Sequence, residues 1–311
     1  MDPWSEAIVK AVDAVAPYVV SVTAVDAKET RATVNTGLIL DGRHVITHAP
    51  VYTPGDHLSV AFPSGERLEA DMVTADPLYF LAILGLRGTV PFDLLPLADP
   101  AEVRPGVLVL ALGNAFRTEC GASMGVISAK DVTIYRPERF PVDGLILTDA
   151  AVHPAAHVGG PLISLDGRLV GVNWMPWTNG LSMSVAAPIV LRLANQMLEF
   201  GRATHPWLGF SGDDEVVSPN MVSLLQLPAH RGVAVKVVVD EGPGMRAGVH
   251  VFDLVVAIDG QPIQSLGGIR QGLSVHRPGE VAALTILRGG DLVELEMPVE
   301  EMPRLASTPW G

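Results

Sequence analysis

Between Val19 and Ala186 the apolar residues recur with a period of two, in short runs cut apart by glycine-bearing turn pairs. Val20, Val22 and Ala24 alternate with Ser21, Thr23 and Val25, and similar runs cover Thr36–Leu40, Arg43–Thr47, His57–Phe62 and Arg67–Thr74. Asp41-Gly42, Pro54-Gly55 and Ser64-Gly65 separate them, and such pairs supply the turn geometry that strand ends need. Later candidates are Val107–Leu112, Ala122–Ala129, Gly144–Thr148, Pro161–Ser164, Arg168–Trp174 and Leu181–Ala186, with Asp166-Gly167 joining the fourth to the fifth. Strands this short and closely spaced, with no helix between them, predict an antiparallel barrel or sandwich.

Helical spacing flanks this region. Ile8, Val9, Val12 and Val15 form a stripe that Pro17 stops, and Ile189, Leu193, Met197 and Leu198 form another between Pro188 and Gly201. A second unit then mixes strands (Val233–Val239, Leu254–Ile258, Ala282–Leu287, Leu292–Val299) with short helices at Gly244–Ala247 and Leu266–Leu273. A chain of 311 residues has room for about two domains. The boundaries expected are 1–202, 203–303 and a tail, 304–311.

Composition removes several function classes. Hydrophobic residues make up 48% and charged ones 18%, the reverse of a disordered chain. A net charge of −13 repels phosphate backbones, so no nucleic-acid partner is expected. Cys120 is the one cysteine, so no internal disulfide can form. The uncharged stretch Leu169–Leu191 is too polar to cross a bilayer, and no membrane insertion is expected. MDPWSEAIVK lacks the basic and apolar regions of a secretory leader; a full-length chain is expected to be cytoplasmic, a trimmed one extracytoplasmic.

Ordered along the chain are Thr36-Gly37-Leu38-Ile39, Val45-Ile46-Thr47, Ala75-Asp76-Pro77, Leu81-Ala82-Ile83-Leu84, Leu112-Gly113-Asn114, Gly125-Val126-Ile127-Ser128, Thr148-Asp149-Ala150-Ala151 and Gly159-Gly160-Pro161-Leu162. They are followed by Pro206-Trp207-Leu208-Gly209-Phe210, Gly242-Pro243-Gly244-Met245-Arg246-Ala247-Gly248 and the segment Asp253–Gly260. This series resembles the HtrA/Deg family over residues 5–302. The resemblance implies a mainly β fold: a trypsin-like double six-stranded antiparallel β-barrel followed by a C-terminal PDZ domain of α+β type.

Serine proteolysis needs a hydroxyl nucleophile, an imidazole base and an orienting carboxylate. Aligned on the family segments, these positions hold Pro50 for the histidine, Phe80 for the carboxylate and Val158 for the serine. The serine loop also carries Ala155-Ala156-His157-Val158 between Pro154 and Gly159, one residue more than the family, which is expected to disturb the oxyanion amides. The expectation is therefore an inactive protease homologue, a pseudoprotease that serves as a peptide-binding scaffold or regulator. The alternatives are residual or unconventional endopeptidase activity, or a metal- or ligand-sensing regulator using the rebuilt cleft.

Other candidates carry competing readings. His48, His153 and His157 are weak metal candidates, more simply read as hydrogen-bonded histidines; no cofactor is expected. Cys120 reads as a buried or loop thiol, Phe80 as an apolar plug, and Trp174 with Trp177 as packing around a loop at Pro176. In the C-terminal unit the resemblance implies a carboxylate-binding loop at Trp207, Leu208, Gly209 and Phe210, faced by Ile269 and Leu273. The partners expected are protein C-termini or unfolded peptides. It also implies a homotrimer, with Trp4, Ile8 and Val12 available for the contact.

Overall fold

The computed structural model describes residues 2–303 apart from 27, 29, 31, 50–54, 93, 115–119, 136–140, 155, 228 and 274–275. Pro50, Ala155 and the tail 304–311 thus lie outside the described residues. Helix α1 (Pro3–Val15) starts where the Asp2 carboxylate accepts from the Trp4 and Ser5 N–H groups at 3.1 Å, an N-cap that the sequence reading did not single out. It buries Ala11 and Val15, one i, i+4 pair, and leaves Val9 of the expected stripe 42% exposed.

The alternating runs become strands β1 (Val19–Val25), β2 (Ala32–Ile39), β3 (His44–His48), β4 (His57–Ala61), β5 (Arg67–Asp76) and β6 (Leu81–Leu86). They close a barrel in the order β1-β2-β3-β6-β5-β4, filled by Val20, Val22, Val45, Val60 and Leu84. A second barrel follows from β7 (Leu108–Gly113), β8 (Gly121–Tyr135), β9 (Pro141–Thr148), β10 (Pro161–Ser164), β11 (Leu169–Pro176) and β12 (Ser182–Ala186), in the order β10-β11-β12-β9-β8-β7. Helix α2 (Ala187–Phe200) has Pro188 in its first turn and ends at Gly201, whose φ of 73° is the left-handed value glycine tolerates. Of its expected apolar stripe Leu193 and Met197 are buried, joined by Val190 and Ala194, while Leu198 is exposed.

By packing, the chain divides into two compact units, Met1–Val132 with Gly144–Ala203 and Thr204–Arg304 with Thr133–Asp143. The second unit contains β13 (Pro206–Trp207), β14 (Phe210–Val216), α3 (Pro219–Leu225), β15 (Arg231–Val238), α4 (Pro243–Arg246), β16 (Leu254–Ile258), β17 (Gln261–Pro262), α5 (Leu266–Leu273), β18 (Val281–Arg288), β19 (Asp291–Pro298) and β20 (Glu300–Glu301). The main sheet runs β14-β15-β16-β18-β19, so β14 is an edge strand, and α5 packs its Ile269 and Leu273 into the core with Leu208, Phe210 and Val233. Helix α3 was not expected, although Ser218 before Pro219 is a start signal; the Ser218 hydroxyl accepts from Met221 N–H. Asp253, 2% exposed, accepts from Nε and a terminal nitrogen of Arg288 at 2.7 Å each, which ties β16 to β18.

One buried hydroxyl joins the two barrels. Thr36 Oγ1 on β2 donates to the Ala156 carbonyl at 2.5 Å and accepts from the Asn114 N–H at 2.8 Å, while Thr47 Oγ1 donates to the Thr36 carbonyl at 2.7 Å. Thr36 and Thr47 are fully buried. A Cβ on Gly159 would run into the Thr36 carbonyl and one on Gly160 into the Leu112 carbonyl, so only glycine lets this loop enter between the barrels. Thr36→Val keeps the shape and removes the hydroxyl, leaving a buried N–H and a buried C=O without their partner. A loss of about 1–3 kcal/mol in unfolding free energy is expected from denaturant titration; an unchanged midpoint would show that the relay is dispensable.

Candidate functional site

At the barrel junction, β3 ends at His48 and the turn before β6 ends at Phe80. The Asp76 carboxylate accepts from Leu78 and Tyr79 N–H at 3.3 and 3.1 Å, which folds the turn back on itself. Phe80 then takes a φ of 51°, a left-handed value unusual for a bulky side chain, and its carbonyl accepts from Ala49 N–H at 2.8 Å. Its ring lies 5.9 Å from His48, edge-on, and 6.1 Å from Trp174, stacked. Trp174 belongs to β11, which continues through Pro176, so it is a buried strand residue and not part of a loop; Trp177 is 43% exposed.

Two buried nitrogens here, His48 Nε2 and Trp174 Nε1, have no hydrogen-bond partner among the described residues. Burial pushes the His48 imidazole down from 6.5 to about 4, so it is neutral at physiological pH. Burial also pushes the Cys120 thiol up to about 11, which removes the thiolate a nucleophile requires.

The loop after Thr148 forms a tight turn. Ala156 and His157 N–H both donate to the His153 carbonyl, at 3.0 and 2.9 Å, and Gly159 N–H donates to the Asn173 carbonyl at 2.8 Å. The His153 N–H donates to Nδ1 of His157 at 3.0 Å, which fixes the His157 ring and leaves its proton on Nε2. Desolvation, with a smaller contribution from His153, holds His157 below its usual value. Val158 points into the barrel core with Val109, Ile146 and Leu162 and is 4% exposed. Among the described residues no group of three His, Cys, Asp or Glu could hold a metal, so His48, His153 and His157 do not form one centre. A shallow groove of about 590 Å³ opens elsewhere on the second barrel, lined by Val103, Arg104, Val107, Ile127 and Asp166 among others, and contains no expected site residue.

In the second unit the structure brings Trp207, Leu208, Phe210, Ile269 and Leu273 around one groove, together with Pro206, Ser211 and Leu266, which sequence reasoning missed. Leu266 was legible as the i−3 neighbour of Ile269 on α5. The cavity is nearly shut, at about 20 Å³, room for about one water. Gly209 has a φ of 70°, and a Cβ there would lie 2.7 Å from Pro243 Cδ, so the loop requires glycine twice over. Leu208 and Gly209 are buried, yet neither N–H donates to any described group. Two adjacent amides are thereby left free to bond water or a ligand.

Residues 35–172 match the Trypsin-like peptidase domain family and residues 210–299 the PDZ domain family. The chain is 28% identical over 271 residues to a probable periplasmic serine endoprotease DegP-like of Pseudomonas putida (strain GB-1), covering 86% of this chain and 55% of the relative. A protein of the same description from Brucella suis biovar 1 (strain 1330) is 27% identical over 272 residues, covering 86% and 52%. The chain thus spans about half the length of the curated relatives it matches. The solved structure of an HtrA-type protease AlgW with tripeptide superposes with a TM-score of 0.74 at 24% identity over 96% of this chain and 99% of that one. The serine endoprotease from Yersinia pestis superposes with a TM-score of 0.65 at 23% identity, covering 95% and 98%.

Two expectations are corrected by these findings. The chain was expected not to be an enzyme, whereas its relatives are named serine endoproteases, and nothing in the comparisons supports inactivity. A cytoplasmic location was expected for a full-length chain, whereas the relatives are named periplasmic.

The buried neutral His48 has a consequence for stability. The unfolded imidazole takes up a proton near pH 6.5 and the folded one only near 4, so acid favours the unfolded state. Stability from this group is complete above about pH 6.5 and declines as the pH falls to about 4, by about 3 kcal/mol in all. His48→Leu is expected to flatten the slope of unfolding free energy between pH 6.5 and 4; an unchanged slope would show that His48 is protonated in the folded state.

Proposed function

Because the chain belongs to the HtrA family, in which a trypsin-like peptidase barrel pair precedes a PDZ domain, we propose that it captures peptide C-termini in the groove between β14 and α5. The observation that carries this reading is the pair of adjacent amides at Leu208 and Gly209, neither of which donates to a described group. A carboxylate there would accept both N–H groups as charge-assisted hydrogen bonds, and the peptide backbone would pair with the open edge of β14. Leu266, Ile269 and Leu273 offer apolar contact only, so an apolar last residue fits and a charged one would lose hydration without gaining a partner. The cavity of about 20 Å³ means that α5 must move outward to admit that side chain. The HtrA-type protease AlgW has been solved with a tripeptide, which supports peptide capture as the shared task.

Peptide-bond hydrolysis is a second reading, favoured by the names of the relatives. Such a reaction would draw on groups other than the Phe80 and Val158 side chains; His48 lies beside the Phe80 ring, but burial lowers its pKa to about 4, and it would have to become exposed to act as a base. Turnover of an unfolded protein by the purified chain, removed by His48→Gln, supports that reading; intact substrate after prolonged incubation retires it and leaves peptide capture standing. The same family reading includes an extracytoplasmic location and assembly as a homotrimer through α1, whose Trp4 is 67% exposed.

Peptide capture is tested by titrating the full chain with a peptide that has an apolar last residue, as free acid and as C-terminal amide. Amidation removes the charge and is expected to weaken binding about ten- to hundredfold, the weight of one or two charge-assisted hydrogen bonds. Equal binding of the two forms would show that the groove does not read a carboxylate.

A further inference from the structure

Strand β14 is the open edge of its sheet, and beyond Gly212 it carries three consecutive carboxylates, Asp213, Asp214 and Glu215, all exposed. The residues opposite them on β15 are Ala234, Val233 and Gly232, none charged. Among the described residues none of the three carboxylates has an ion pair. The cations of β15, Lys236 and Arg231, fall beyond the two ends of the run, opposite the bulge at Ser211/Gly212 and opposite Val216. Like charges side by side on one strand repel one another, and nothing on the neighbouring strand offsets them.

This charge lies along the path of a bound peptide. A carboxylate held at Leu208 and Gly209 sits at the start of β14, so the peptide must run antiparallel to that strand, its upstream residues passing Ser211 and then Asp213 to Glu215. At ~3.3 Å per residue on both strands, the residues facing the acidic run are about three to five positions before the C-terminus. Alternation sends Asp214 toward α5, where its Oδ1 accepts from Leu266 N–H at 2.8 Å, and places Asp213 and Glu215 on the other face.

We propose that this acidic edge makes the groove selective for C-terminal peptides carrying lysine or arginine about three to five residues before an apolar last residue. The inference rests on the peptide-capture reading above. A cation in that stretch would meet Asp213 and Glu215 across a strand pair, and an acidic residue would meet like charge. The same arrangement separates two functions along one groove: amides and apolar walls read the terminus, and carboxylates read the charge upstream. Asp214 serves a structural purpose as well, since it satisfies one of the N–H groups at the start of α5.

The test compares two free-acid peptides with the same last three apolar residues, one with lysines and one with glutamates at the three preceding positions, titrated against the full chain. Tighter binding of the lysine peptide, about tenfold at low ionic strength and shrinking toward parity near 1 M salt, is expected for exposed charges. Asp213→Asn with Glu215→Gln is expected to remove most of that ratio while an uncharged peptide binds as before; Asp214 is left in place because it caps α5. Equal affinity of the two peptides, or preference for the glutamate one, overturns the charge selectivity and leaves terminus capture intact. Binding of neither peptide overturns terminus capture itself.

Discussion

Thr36 Oγ1 receives the Asn114 N–H and donates to the Ala156 carbonyl, so one hydroxyl at the centre of the first unit holds strands from both barrels and the loop between them. The geometry around the junction follows from that contact. With Ala156 drawn to β2, the loop can pass only if Gly159 and Gly160 lack side chains, and the turn then buries Val158 in the second barrel. The amides of Ala156 and His157 are consumed inside the turn by the His153 carbonyl. The loop is held by hydrogen bonds of its own making, independent of any bound molecule.

The two units leave different kinds of polar group unpaired. In the first, among the described residues, His48 Nε2 and Trp174 Nε1 stand without partners around the Phe80 ring, an arrangement that keeps the imidazole neutral. In the second, the unpaired groups are adjacent backbone donors at the mouth of a groove, oriented by a glycine that nothing else could replace. An isolated buried nitrogen costs stability and specifies no ligand. Two neighbouring N–H groups specify an anion. That contrast is why peptide capture is the leading function and hydrolysis the second.

The barrels were legible because alternation and glycine turns are local signals, and most strand boundaries lie within a few residues of those expected, although β8 runs on to Tyr135 where Ala129 was expected to end it. What the sequence hid depends on partners distant along the chain. Leu198 and Val9 sit on regular helical spacing but face solvent; for α2 the packed face is fixed by β5, β11 and β12, on which it lies. Trp174 was expected to end its strand with a loop at Pro176, yet β11 runs two residues further and tolerates that proline at its very end. The groove residues Trp207, Leu208, Phe210, Ile269 and Leu273 were found from the family pattern, and Leu266 was legible from helical spacing, while Pro206 and Ser211 join them only through folding. The near closure of the groove left no trace in the sequence.

The central claim concerns two backbone groups, and backbone amide NMR observes them directly. On adding a free-acid peptide with an apolar last residue, the Leu208 and Gly209 N–H resonances should move downfield and become protected from exchange, as amides do on gaining a charged acceptor. The amidated peptide should leave both nearly unmoved. If the free acid perturbs other residues but not these two, or perturbs them no more than the amide does, the carboxylate is not bound at this loop and the account of the groove is wrong.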